Sequence, residues 1–429
     1  MAVGTHGDVL PFIAMGHELA RRGHGVAVAA PAPFEAMVRR AGLPFQPLGT
    51  VADYERVIRA PDLWHPRRGV RPLFAYASSL TETTVLWLGA SWARERNGVV
   101  VASPLALGAR VAQDLYDLPL ATMQVMPFLI ESAHAPPRLP GLPLPRFLSA
   151  RFRSWMNLGA DQFVIGPAAL PPLNALRERL GLGRVQRLRH WWNSPTRMLL
   201  MFPDWFTPPQ PDWPEQAIQI GFPLVDRFGD VGELPPALAA FLDAGEAPLA
   251  FTYGSAMRQG ARFFETAIRL CARMGRRGVL LAPQNGQIRK DLPPGIIHLP
   301  YAPFGQLLPR CAALVHHGGI GTVAQAFAAG IPQLVVPVAF DHFDEGRRLT
   351  ELGLGASLSR RAFRPARAAR ELDRLLSDPA VARACAEAKA RVMAEDAVAS
   401  ACDRAEDMLW HPGLSATHRR EESVSRAAG

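Results

Sequence analysis

The stretch 313-ALVHHGGIGTVAQAFAAGIPQLVVPVAFDHFDE-345 sets two adjacent histidines against a cluster of glycines. A short apolar run ends at His316 and His317 and reads as a strand. Gly318, Gly319 and Gly321 follow, and glycine lets a backbone turn tightly and come close to a ligand. A small-residue helical pattern comes next, so the order is strand, turn, helix. The first amides of such a helix lack partners and lie at the positive end of its dipole, an arrangement that suits phosphate. A histidine just before it can add a charge-assisted hydrogen bond. Thr322 can cap the helix or bond a phosphate oxygen. The pattern is neither a G-x-G-x-x-G fingerprint with a placed acid nor a P-loop. The plainer alternative is a tight strand–helix turn with incidental histidines. The acids of 340-FDHFDE-345 allow a metal set of Asp341, His342 and Asp344, but nothing nearby completes it, and a solvated loop is the simpler reading.

Working outward, the pattern repeats in both halves of the molecule. "MAVGTHGDVLPFIAMGHELARRGHGVAVAAP" reads as strand, glycine turn, helix and strand, with Ile13, Gly16, Leu19 and Ala20 on one helical face. That is a βαβ unit and implies a parallel sheet. Only Met1, Ala2 and Val3 precede the turn, against a usual strand of ~5–6 residues. The expectation is either a start lying further upstream or a short edge strand. A second strand–helix series begins near Pro248. Residues 131–215 are rich in proline, which predicts loops and short helical pieces there rather than long helices. The proline-rich connection between the halves is placed near 203–245, and a closing helix near Val381 to Trp410. The final polar residues read as a disordered tail.

Composition narrows the class. A length of 429 residues predicts two domains. At 48% hydrophobic and 20% charged the protein can bury a large core. No apolar run approaches the ~20 residues of a spanning helix, and no signal-peptide pattern opens the sequence. The scattered cysteines Cys271, Cys311, Cys385 and Cys402 lack metal-ligand spacing and read as thiols in a reducing cytosol. The net charge is +9, but Lys290 and Lys389 are the only lysines, and the arginines are spread without a basic block. A nucleic-acid surface is therefore disfavoured.

The 313–345 stretch resembles the donor-binding signature of GT-B glycosyltransferases of the UDP-glucosyltransferase superfamily. The head 4-GTHGDVLPF-12 resembles that superfamily's bacterial N-terminal motif, whose Gly-Asp pair lies at the acceptor. Five further segments are similar to the rhamnosyltransferases of rhamnolipid synthesis: 62-DLWHP, 131-ESAHAPP, 202-FPDWFTPPQPDWPEQ, 221-GFPLVD and 301-YAPFGQLLPRCAALVH. The implied fold is α/β, two doubly wound Rossmann-like domains facing across a cleft. The implied domains are 1–215 for the acceptor, 216–395 for the nucleotide sugar, and 396–429 as closing helix and tail. The implied activity is inverting transfer of a sugar, rhamnose from dTDP-L-rhamnose on the narrower match. The acceptor would be a lipid hydroxyl such as a 3-(3-hydroxyalkanoyloxy)alkanoate. Another sugar nucleotide with a sterol-like acceptor stays open, as do an epimerase of the same fold and a non-catalytic, nucleotide-binding activator.

The resemblance also implies roles. Asp8 would be the base, with helix capping its alternative and His6 its rival. His317 matches the signature histidine, whereas the narrower family's pattern favours His316, so both stand. Gly319, Gly321 and Thr322 would form the phosphate cradle, and Gly254 and Ser255 a second phosphate-contacting turn. Tyr301 would stack on the base, or be a core aromatic. Gln325 falls where a ribose-binding acid is frequent. Asp341 would bond sugar hydroxyls, and His342 replaces the usual glutamine. For an alkyl acceptor the apolar candidates are Trp64, Trp87, Met126 and Phe128, from a population that includes Phe74, Tyr76, Trp92 and Met123 and in which core packing is the competing role. No cofactor and no metal are implied, since amides and a histidine can carry the diphosphate charge. The expected setting is cytoplasmic, peripheral on the inner membrane surface.

Overall fold

The computed structural model describes residues 1–65, 68–138, 148–226, 234–283 and 286–410. The N-terminal half carries strands β1 (Val28–Pro31), β2 (Phe45–Leu48), β3 (Val100–Ala102), β4 (Leu120–Gln124), β5 (Arg197–Leu200) and β6 (Ala217–Gln219). All their pairings are parallel, in the sets β1-β2 and β3-β4-β5-β6. The seam between the sets is Met1–Val3. The Ala2 amide donates to the Ala29 carbonyl at 2.9 Å on one side, and the Ser103 amide donates to the Met1 carbonyl at 2.9 Å on the other. The expected first strand is thus three buried residues without a regular ladder, but in a central position. The Met1 amine donates to the Val101 carbonyl at 2.6 Å, and burial pulls its pKa down to about 5.

The C-terminal half carries β7 (Leu249–Thr252), β8 (Gly278–Leu281), β9 (Ile296–Leu299), β10 (Ala313–His316), β11 (Gln333–Val335) and β12 (Gly355–Ser357). They form one parallel sheet in the order β12-β11-β10-β7-β8-β9. The order reverses between β10 and β7, the switch point at which open α/β sheets place ligands beyond their strand ends. β10 reads Ala-Leu-Val-His with every residue buried, as a strand covered by helices on both faces must be.

β6 pairs with β5, so the first sheet runs on to Gln219, past residue 215. The last helix, Ala397–Trp410, returns to the N-terminal half. Ala397, Ala401, Cys402, Ala405 and Met408 join the core of Val9, Ile13 and Met15. Arg22 meets Asp403 at 2.6 Å and Glu406 at 2.8 Å. The polar tail 411–429 lies outside the described residues. No helix among those residues is long and apolar enough to cross a membrane.

The proline-rich region departs most from expectation. Helices Ala150–Ala160 and Gly166–Arg179 run on through a π turn at Asp161–Ile165. Pro167 falls directly after that turn, whose closing bond is from the Gly166 amide to the Asp161 carbonyl. The π turn shifts the hydrogen-bond register just where the proline lacks an N–H, so a helix that proline would break in α register continues. A side chain at 166 would put its Cβ 2.6 Å from the Asp161 carbonyl oxygen. Gly166→Ala is therefore expected to destabilise by about 1–3 kcal/mol and to lower the melting temperature. An unchanged melt would show the turn is not constrained there.

Candidate active site between the two sheets

One cavity of about 910 Å³ lies between the halves. Its donor wall is built where β10 and β7 end. His317 follows β10 and lines the cavity with Gly319, Gly321, Thr322 and Gln325. Gly319 caps the helix Ile320–Ala329, so that helix's first free amides stand at the cavity. Gly318 has φ 106°, and a Cβ there would lie 3.0 Å from the His342 carbonyl oxygen, so glycine is required. The His317 ring sits close over two glycines. A Cβ at Gly254 would lie 3.0 Å from its Nε2, and one at Gly319 2.7 Å from the same atom. Its Nδ1 is buried without a hydrogen-bond partner. Burial depresses its pKa to about 4, which favours a neutral imidazole. A diphosphate beside it would oppose that shift by favouring the cation.

His316 is different. It is fully buried, its Nε2 lies 3.0 Å from Gln333 Oε1, and its Nδ1 accepts from the Gly318 amide at 3.2 Å. Both ring nitrogens serve the turn, and His316 does not line the cavity. The structure therefore sets it beneath the cradle as a fold residue, in contrast to its expected place at the donor.

Gly254, Ser255, Tyr301, Asp341 and His342 all line the cavity. The Tyr301 hydroxyl donates to the Asp226 carbonyl at 3.2 Å. The His342 ring meets that of His317 edge-on at 4.7 Å. Asp341 is buried, and burial first, with the Asp8 and Asp344 charges adding, pushes its pKa up to about 8. Asp344 is instead taken up by Arg347 at 2.8 Å, Arg348 at 2.8 Å and the Arg138 amide at 2.9 Å. No group of three potential metal ligands stands among the described residues.

From the other half, Asp8 and His6 reach the same cavity. Asp8 is not the N-cap of its helix, His6–Arg21. Thr5 is the cap and Asp8 is the third helical residue of a capping box. Asp8 Oδ2 accepts from the Thr5 amide at 2.7 Å and the Thr5 hydroxyl at 3.1 Å. Burial raises its pKa against those bonds. His6 packs edge-on against Phe34 at 4.9 Å.

The apolar wall holds Trp64, Met126 and Phe128, as expected, and also Phe74 and Tyr76. Trp87 is elsewhere, packed against the cluster of Met1, Val3 and Ala29, because its helix faces the outer layer of the sheet. Sequence reading missed Met156, Asn157, Val164 and Ile165, which the long helix and its π turn bring to the cavity. It also missed Phe340, which takes φ 50° and meets Trp64 at 6.1 Å across the cleft. Nothing in 339-AFD-341 announces a left-handed phenylalanine; a helical reading of 150–165 would have found the others.

Two parallel sheets facing across a shared cavity, with a histidine–glycine turn on one side and a carboxylate on the other, are the arrangement of the GT-B class of glycosyltransferases. Residues 1–135 match the glycosyltransferase family 28 N-terminal domain. Residues 278–408 match the erythromycin biosynthesis protein CIII-like C-terminal domain. The sequence is 30% identical to the O-mycaminosyltylonolide 6-deoxyallosyltransferase of Streptomyces fradiae, over 94% of this protein and 95% of that one. It is 27% identical to the sterol 3-beta-glucosyltransferase UGT80A2 of Arabidopsis thaliana, over 83% of this protein and 57% of that one. The solved glycosyltransferase of kitacinnamycin superposes with a TM-score of 0.73 at 23% identity, over 95% and 97% of the two molecules. The spinosyn rhamnosyltransferase with thymidine diphosphate superposes with a TM-score of 0.66 at 19% identity, over 94% and 99%. This protein belongs to the nucleotide-sugar glycosyltransferases of the family 28/EryCIII-like type.

The geometry of the cradle can be tested at its glycines. A Cβ at Gly321 meets nothing within 4 Å, so Gly321→Val should melt like the parent yet lose nucleotide binding by about tenfold or more, the loss of a preorganised diphosphate contact. Gly319→Ala should also lose nucleotide binding, by displacing His317, and should melt below the parent because its Cβ would lie 2.7 Å from the His317 Nε2. Normal affinity in both, measured by calorimetry, would remove the cradle. For Asp341, the folded protein keeps between about pH 4 and 8 a proton that the unfolded one has lost. Its contribution to stability therefore falls as pH rises through that window. Asp341→Asn should melt above the parent at pH 8, and the gap should close towards pH 4.

Proposed function

We propose that this protein transfers a 6-deoxyhexose, L-rhamnose from dTDP-L-rhamnose, to the hydroxyl of an alkyl acceptor such as a 3-(3-hydroxyalkanoyloxy)alkanoate, with inversion. The observation that carries the reading is the shared cavity. Its Asp8 side is walled by Trp64, Phe74, Met126, Phe128 and Met156, and its far side is the backbone cradle at Gly319–Thr322. An acceptor that is mostly hydrocarbon loses water favourably there. The resemblance of five segments to the rhamnolipid rhamnosyltransferases supports the same acceptor. A rigid polycyclic acceptor is the second reading, favoured by the similarity to a sterol glucosyltransferase.

In this mechanism the acceptor hydroxyl gives its proton to Asp8, and its oxygen forms a bond to the anomeric carbon. The bond from that carbon to the diphosphate oxygen breaks on the opposite face, which inverts the centre. Burial makes Asp8 a stronger base than an exposed carboxylate. Thr5 holds one oxygen, which fixes the carboxylate's direction. The leaving diphosphate takes hydrogen bonds from the free amides and from His317, donors already in place before the charge develops. Tyr301 stacks on the pyrimidine, Gln325 faces the ribose, and Asp341 and His342 hold sugar hydroxyls. No divalent metal enters this scheme, and turnover should persist in EDTA. We place the reaction at the inner membrane surface, where such an acceptor accumulates.

The test is incubation with dTDP-rhamnose and a hydroxyacyl lipid, read by mass spectrometry for the addition of one deoxyhexose. An activator or an epimerase would bind the nucleotide and give no such product. Asp8→Asn keeps an oxygen for the Thr5 amide but removes the base. It should lose ~10²–10⁴-fold in turnover, with melting and donor binding near those of the parent. Parent-like turnover would move the base elsewhere, with His6→Ala the next variant. Early melting with retained turnover would make Asp8 a capping residue alone.

A further inference from the structure

Among the described residues eight large apolar side chains stand exposed, and five of them fall in one short run: Phe152 44%, Trp155 70%, Leu158 46%, Phe163 75% and Val164 48%. The run is the helix Ala150–Ala160 with the π turn that follows it. Its inner side supplies Met156, Ala160, Val164 and Ile165 to the cavity. Val164 belongs to both sets, so the exposed patch continues into the apolar wall of the site. The π turn contributes to this: it leaves Gln162, Phe163 and Val164 exposed in succession, where an α-helical turn would carry one of them back towards the body of the protein.

The exposed charge of the run itself has one sign. The helix Ala150–Ala160 carries Arg151 and Arg153 and no acid. Arg151 is exposed, while Arg153 reaches back to the Ala133 and His134 carbonyls, both at 3.3 Å. The acid that follows, Asp161, is buried and bonded to Arg187 at 2.6 Å and Arg189 at 2.6 Å, so it offers no negative charge to the surface. Exposed Trp and Phe beside an arginine, with no acid among them, is the composition of a segment that lies in a lipid headgroup layer.

We propose that Phe152, Trp155, Leu158 and Phe163 dock this protein on an anionic lipid surface, with the mouth of the acceptor cavity held at that surface. An alkyl acceptor then passes from the lipid past Val164 and Met156 to the apolar wall without crossing water. This rests on the proposed reading of the acceptor as an alkyl lipid, but docking is measured without any acceptor.

The experiment sediments the full-length protein with vesicles of phosphatidylcholine, alone or mixed with phosphatidylglycerol. The protein should sediment with the mixed vesicles, more weakly with phosphatidylcholine alone, and less as salt is raised. Trp155→Ser/Phe163→Ser changes two exposed side chains outside the cavity. It should partition at least about tenfold less, while melting and donor binding stay those of the parent. Arg151→Glu should weaken partition to the mixed vesicles and leave that to phosphatidylcholine unchanged. With both variants, turnover of a vesicle-embedded acceptor should fall and turnover of a short water-soluble one should hold. A parent protein that stays in the supernatant overturns the proposal, as does a double variant that sediments like the parent. A protein that ignores vesicles but forms a dimer by light scattering, lost in the double variant, would make the patch a contact between copies and overturn it too. Vesicle binding with no product from any hydroxyl lipid would leave the docking standing and refute the transferase reading instead.

Discussion

An imidazole held against two glycines is the constraint from which the rest of the site follows. The His317 ring lies so close to Gly254 and Gly319 that a methyl group on either backbone would meet Nε2 at 3.0 or 2.7 Å. Gly254 follows β7 and Gly319 follows β10, the neighbouring strands at the switch point of the C-terminal sheet. The ring therefore fixes the spacing of two loops as well as its own position. His316, one residue earlier, fixes the turn from below by accepting the Gly318 amide and meeting Gln333. Two adjacent histidines thus do separate work, one in the cleft and one in the core.

Burial in this cleft acts on groups of opposite chemistry in a consistent direction. It lowers the pKa of His317 and raises those of Asp8 and Asp341, so these groups lean towards neutrality. Asp8 from one half adds to the rise at Asp341 in the other, which places the two carboxyls within electrostatic reach across the cleft. A ligand with a diphosphate at one end and hydroxyls near the other would reverse these leanings locally. It would favour a charged histidine and give the carboxyls hydrogen-bond donors in place of lost water. Preorganisation here takes the form of poorly solvated groups whose charged states await their partner.

The histidine–glycine side of the cavity was legible in the sequence because it is specified by the backbone. Gly318 needs φ 106°, Gly319 and Gly254 must lack a Cβ, and the helix must start directly after the turn. Each demand appears as a residue type at a fixed position. The apolar wall was legible only in part. Trp64, Met126 and Phe128 reach it, and Trp87 does not, because being aromatic says nothing about which side of a helix faces the cleft. The long helix of 150–179 was hidden by its prolines, since a π turn that absorbs Pro167 has no signature in composition. β6, the last strand of the first sheet, was not read in the sequence because it is three half-buried residues with no apolar run to mark it.

The same division bears on how such a fold changes acceptor. The histidine–glycine turn is held by steric limits on glycines, where almost any side chain adds a clash or fills the cleft. The apolar wall is made of side chains on the helices and loops of the N-terminal half, where one apolar residue can replace another at a cost of usually under about 1.5 kcal/mol when volume is kept. Phe340 stands at the border of the two regimes. It comes from the C-terminal half, directly before Asp341, yet its ring meets Trp64 of the N-terminal half. Its left-handed backbone is costly for a bulky residue and persists only where the surroundings over-determine it. A substitution there would release the backbone that orients Asp341 and open the aromatic contact across the cleft at once. The geometry of the two walls is coupled at that residue, whereas at Met156 or Phe128 the apolar wall can vary alone.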